Sequence, residues 1–87
     1  MSDRCQLIEQ ALVSAYNPEN IKIIDDSHLH AGHASAGSKG HFTVEIIAEA
    51  FRNKPLLERH RMIYATLAEL LESDIHALSI KANAPNT

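Results

Sequence analysis

Apolar residues recur at three- and four-residue steps over residues 3–16. Cys5, Ile8, Ala11, Leu12, Ala15 and Tyr16 form one stripe, which predicts an amphipathic helix. Ser2 is placed to cap its start. Asn17-Pro18 stops it, because the residue before a proline avoids the helical region. Ile21-Lys22-Ile23-Ile24 is a short β-branched run and predicts a strand. His41 to Ala48 alternates: Phe42, Val44, Ile46 and Ala48 share one face, and His41, Thr43 and Glu45 the other. That is the period of a half-buried strand. In Phe51-Arg52-Asn53-Lys54-Pro55, a turn, Asn53 is expected at positive φ, since asparagine tolerates the left-handed region. A second amphipathic helix is expected from Pro55 to Glu72, with Leu56, His60, Ile63, Leu67, Leu70 and Leu71 on its buried side. Ser73-Asp74 ends it. Ile75 to Lys81 then alternates again, putting His76 on one face with Leu78, Ile80 and Ala82.

The order α-β-β-α-β predicts an α+β fold. The first two strands pair antiparallel through a long connection and the last joins the same sheet, leaving both helices on one face of three strands. The connection, Asp25 to Gly40, is rich in Gly, Ser, His and Ala, and only Leu29 has apolar bulk. Connections of that length tend to carry function.

Composition narrows the picture. One domain over residues 1–87 is expected, and 45% apolar residues supply its single modest core. The lone Cys5 excludes an intramolecular disulfide and is expected to pack as a small hydrophobe. No run approaches the roughly 18 apolar residues of a membrane span, and no signal-peptide core is visible, so a cytoplasmic protein is the expectation. Eight Lys/Arg against eleven Asp/Glu give a net charge of -3, which counts against broad electrostatic binding of nucleic acid.

Candidate chemistry centres on histidine. The connection contains DDSHLHAGH, with His28, His30 and His33 at i, i+2 and i+5, half of the six histidines in the chain. Imidazole is the commonest metal ligand, and such spacings on a loop can converge on one ion; a solvated polar loop is the opposing reading. Cys5 lies far from this cluster and no second cluster completes a tetrahedral set, so structural zinc is not expected. His76 also has two readings. It is a core histidine satisfied by one hydrogen bond, or it sits at the sheet's end beside the connection and supplies a ligand. His60 reads as buried and structural, flanked by Arg59 and Arg61, which form a small basic patch or pair with Glu58, Glu69 or Glu72. No nucleophile elbow, glycine-rich phosphate loop or HExxH helix is present, so an enzyme is not expected.

DDSHLHAGH, GSKGHFTVEII, FRNKPLLERHRMIYATLAELL and IHALSIKA together resemble the BolA family over about residues 5 to 82. Asn53 departs from the glycine the family usually carries in its F-x-G turn, and asparagine adopts the same left-handed backbone at small cost. The resemblance implies a type II KH-like fold with a short helical turn before the second helix. No GXXG clamp for single-stranded nucleic acid is present. It also implies a non-enzymatic adaptor that pairs with a monothiol glutaredoxin. The two proteins would share a bridging [2Fe–2S] cluster with glutathione, the cluster being absent from the isolated chain, itself a monomer or weak homodimer. The histidine of the IHAL motif, His76, would be one ligand. The second would be His30, five residues past Asp25, with His33 as the alternative and His28 third. The rival implied by the same resemblance is a transcriptional regulator of stress response and cell shape. It would bind DNA through Lys54, Arg59 and Arg61, with Lys39.

Overall fold

A computed structural model describes residues 3–26 and 40–86. Helix α1 spans Asp3–Tyr16 and strand β1 Asn20–Asp25; β2 is Gly40–Ile47. A single 3₁₀ turn, Glu49–Phe51, precedes α2 (Leu56–Thr66) and α3 (Ala68–Ser73), and β3 (Ile75–Asn83) closes the order. The short turn ahead of the second helix is therefore present.

The helix α1 ends as its sequence requires. Asn17 turns left-handed at φ 45°, its N–H donating to the Val13 carbonyl at 2.9 Å, and Pro18 follows. Asn53 likewise takes φ 61°.

The sheet is mixed, in the order β1-β2-β3. β1 runs antiparallel to β2, pairing Asp25 with Phe42 and Asn20 with Ile47, while β2 and β3 run parallel. The central strand β2 buries Phe42, Val44 and Ile46 and turns His41, Thr43, Glu45 and Ile47 to the other face. On the buried face Cys5, Ile8 and Leu12 of α1, Ile63 of α2 and Leu67 complete the core with Phe51. One face carries the helices, and among the described residues no element covers the other, as in an α+β fold of a helix layer on a sheet.

Three expectations are corrected. The second helix is two helices, broken at Leu67 (φ -99°, ψ 15°). Just before the break, the Thr66 hydroxyl donates back to the Met62 carbonyl at 3.0 Å, and the Tyr16 hydroxyl reaches the same carbonyl at 2.9 Å. Hydroxyls bonded to a helix carbonyl bend the helix. Leu56 is 63% exposed, because it opens α2 and the buried stripe begins a turn later, near Arg59 and His60. Ala15 is exposed as well. No helix among the described residues is long and apolar enough to cross a membrane.

A candidate metal centre at one end of the sheet

Because β2 and β3 are parallel, both begin at the same end of the sheet, the end where β1 finishes. Backbone bonds lock that end: the Asp26 N–H donates to the His41 carbonyl at 2.8 Å and the Gly40 N–H to the Asp74 carbonyl at 2.9 Å. On the side chains, Thr43 Oγ1 donates to Asp26 Oδ2 at 2.5 Å. Asp74 accepts from Arg4 Nε at 3.3 Å, tying the start of α1 to the same corner.

The register slips once, and the slip matters. Gly40 pairs with Ile75, but His41 pairs with Ala77, so β3 spends one residue more than β2 over this step. His76 is the extra residue of a β-bulge, a device that commonly re-aims a side chain near functional sites. Simple alternation would place His76 inward with Leu78 and Ile80. The bulge sends Ile75 into the core at 2% exposure and turns His76 out, and Leu78, Ile80 and Ala82 then regain the inner face. The expectation of a shared face for His76 and Leu78 is therefore wrong, and the core-histidine reading falls with it.

Outward, His76 meets His41. Their ring centres lie 5.0 Å apart with planes tilted by 56°. His76 is exposed and His41 half-buried. Two imidazoles at one sheet end, on the open face, offer nitrogen donors of the kind zinc, copper and iron accept. Among the described residues, no three His, Cys, Asp or Glu side chains converge on one ion. His28, His30, His33 and Lys39 lie outside the described residues, in the connection that leaves from Asp26 and returns at Gly40.

His41 was not singled out by the sequence, although its signal was there. Alternation along β2 assigns it to the open face. Its partner is only identified once the bulge in β3 is known.

The remaining candidates sit elsewhere. Arg59 Nε donates to the Lys54 carbonyl and Nη1 to the Ala82 carbonyl, each at 2.8 Å. It staples the start of α2 to the far end of β3 rather than pairing with Glu58, Glu69 or Glu72. Ala82 is six residues beyond His76, roughly 20 Å along a strand. Lys54 and Arg61 are exposed near the same staple. His60 is half-buried, its Nε2 shielded and without a hydrogen-bond partner among the described residues. Cys5 packs in the core as expected. At the 3₁₀ turn, the Arg52 guanidinium hydrogen-bonded to Glu49 holds that carboxyl below its usual range, and the pair raises Arg52 in turn.

Comparison with known proteins places this architecture. Residues 12–87 match the family model described as BolA-like protein. The chain is 41% identical over 73 residues to the DNA-binding transcriptional regulator BolA of Escherichia coli, covering 84% of this chain and 68% of that protein. It is also 41% identical to SufE-like protein 1, chloroplastic/mitochondrial, of Arabidopsis thaliana over 98% of this chain, but spans only 24% of that longer protein. The solved BolA domain of SufE1 from Arabidopsis thaliana superposes with a TM-score of 0.87 at 39% identity, covering 98% of this chain and 95% of that one. Arabidopsis BolA1 superposes at 0.83 with 32% identity, over 98% and 95% of the two chains. The three-stranded mixed sheet, its helix layer and these matches together make the chain a member of the BolA family.

Proposed function

We propose that the protein is a non-enzymatic adaptor that docks a monothiol glutaredoxin and co-ligates a [2Fe–2S] cluster bridging the two. The observation that carries this reading is the outward-turned His76, beside His41, at the sheet end from which the histidine-bearing connection departs. The residues fit the group. The His76 ring is exposed on an open sheet face, where a second protein can reach the same ion. Imidazole pairs ligate one iron of some [2Fe–2S] centres, raising their potential relative to all-thiolate ligation. In this reading His76 supplies one ligand and a second imidazole comes from the same sheet end; the resemblance nominates His30, then His33, then His28. Imidazole protonates near physiological pH, so such a half-site releases metal more readily than a thiolate pair, which suits trafficking or sensing of iron. We place the adaptor in the cytoplasm, as a monomer or weak homodimer when alone.

The test is reconstitution. The chain, a monothiol glutaredoxin, glutathione, iron and sulfide are mixed, and visible absorption and circular dichroism are recorded. A spectrum distinct from that of the glutaredoxin alone is expected, lost in His76→Ala. An unchanged spectrum in that variant removes His76 from the ligand set.

A second reading draws on the Escherichia coli relative, a DNA-binding transcriptional regulator. In this chain Lys54 and Arg61, with Lys39, would meet phosphates, whereas both bonds found for the Arg59 guanidinium go to backbone carbonyls. This reading expects duplex binding that weakens steeply with salt and falls in Lys54→Ala and Arg61→Ala. No binding at low salt retires it.

A further inference from the structure

Strand β3 lies at an edge of the sheet. It pairs with β2 along one side, and among the described residues no strand pairs with its other side. Hydrogen-bonding direction alternates along a strand, and the Asn83 carbonyl points into the sheet, where it accepts from the Ala48 N–H at 2.9 Å. By that alternation Leu78, Ile80 and Ala82 turn their backbone groups to the free side, a row that another strand can pair with. Two of the three carbonyls are covered from α2. The Tyr64 hydroxyl donates to the Leu78 carbonyl at 3.4 Å, and Arg59 Nη1 donates to the Ala82 carbonyl at 2.8 Å.

We propose that the free edge of β3 is a pairing surface for a second copy of this chain, held shut by Arg59 and Tyr64. The edge is self-complementary. Antiparallel pairing about a twofold axis at Ile80 sets Ile80 opposite its own counterpart and Leu78 opposite the second copy's Ala82, the isologous contact of a closed dimer. The two carbonyls that Tyr64 and Arg59 occupy are the ones this register needs for its outer bonds. On the other face Lys81 stands opposite the second copy's Ser79, so no like charges meet. Leu57 lies seven residues before Tyr64, on the same stripe of α2, and the two are 62% and 41% exposed. A twofold axis at β3 brings that stripe beside its copy and adds the apolar burial that a backbone ladder alone lacks.

The test opens the edge and leaves the core filled. The full chain is compared with the double variant Arg59→Met, Tyr64→Phe, which keeps an apolar stem and the ring, by sedimentation equilibrium and by amide hydrogen exchange in NMR. The variant is expected to dimerise about tenfold more tightly than the wild type, with slowed exchange at the Leu78, Ile80 and Ala82 amides. Adding Ile80→Pro, which removes an edge N–H and spares the ladder to β2, is expected to return it to monomer. A folded double variant no more dimeric than the wild type overturns the proposal. So does a dimer that survives Ile80→Pro or leaves those three amides unprotected. If the double variant does not fold, Tyr64→Phe alone, which frees only the Leu78 carbonyl, decides by the same readings. Each measurement is made without iron, so its outcome is separate from that of the adaptor reading.

Discussion

The two ends of the sheet use polar side chains in opposite ways. At the far end, Arg59 is a long cation in a sequence context that suggests a nucleic-acid patch, yet the bonds its guanidinium makes tie α2 to β3. At the near end, His76 has the sequence context of a core residue, yet it stands outside beside His41. Residue type and spacing nominated both. What decides between framework and display is whether the local backbone offers the group an acceptor or turns it away. Arg59 found two carbonyls, and the bulge turned His76 out.

That contrast can be broken most decisively at Ile75. With the bulge in place, Ile75 fills core volume, and Ile75→Ala is expected to cost about 2–4 kcal/mol in urea unfolding. His76→Ala is expected to stay within about 0.5 kcal/mol, as surface changes do. A reversed order would mean that regular alternation holds and His76 faces inward. Next in size, Arg59→Ala removes a charged donor from two carbonyls and is expected to lower stability by about 1–2 kcal/mol, measured the same way. Arg61→Ala, on the exposed side of the same helix, is expected to change stability by less than about 0.5 kcal/mol. Equal effects from the two arginines would remove the staple.

The smallest effect concerns acid. Glu49 has a depressed carboxyl pKa through its hydrogen bond to Arg52, so the pair stabilises the folded state above the ordinary glutamate range. Its contribution fades as pH falls through the lowered value. Because the Glu49 carboxylate lies on the exposed surface, Glu49→Gln is expected to leave the melting temperature at pH 7 almost unchanged and to flatten the stability profile slightly in the acid range. A rise in stability toward acid in the wild type that the variant abolishes would reverse the sign and refute the pairing.

Local features of the sequence were legible and non-local ones were not. The bounds of α1, the left-handed Asn53 and the two faces of β2 follow from periodicity and from backbone preferences of single residues. The break at Leu67 follows two hydroxyls on the Met62 carbonyl, those of Thr66 and Tyr16, and the Tyr16 contact comes from another helix that residues 55–72 do not announce. The bulge is a relation between two strands and is invisible in either alone. At the candidate site, therefore, the sequence named His76 and put it on the wrong face, while it put His41 on the right face without naming it. The three histidines of DDSHLHAGH lie outside the described residues, and their part rests on the resemblance.

The parallel pairing of β2 with β3 has a consequence for biogenesis. Residues 41 and 76 become neighbours only after the intervening helices have crossed over and the final strand has docked. A nascent or partly unfolded chain has no such pair to offer, so under the adaptor reading any metal bound there would be linked thermodynamically to completion of folding.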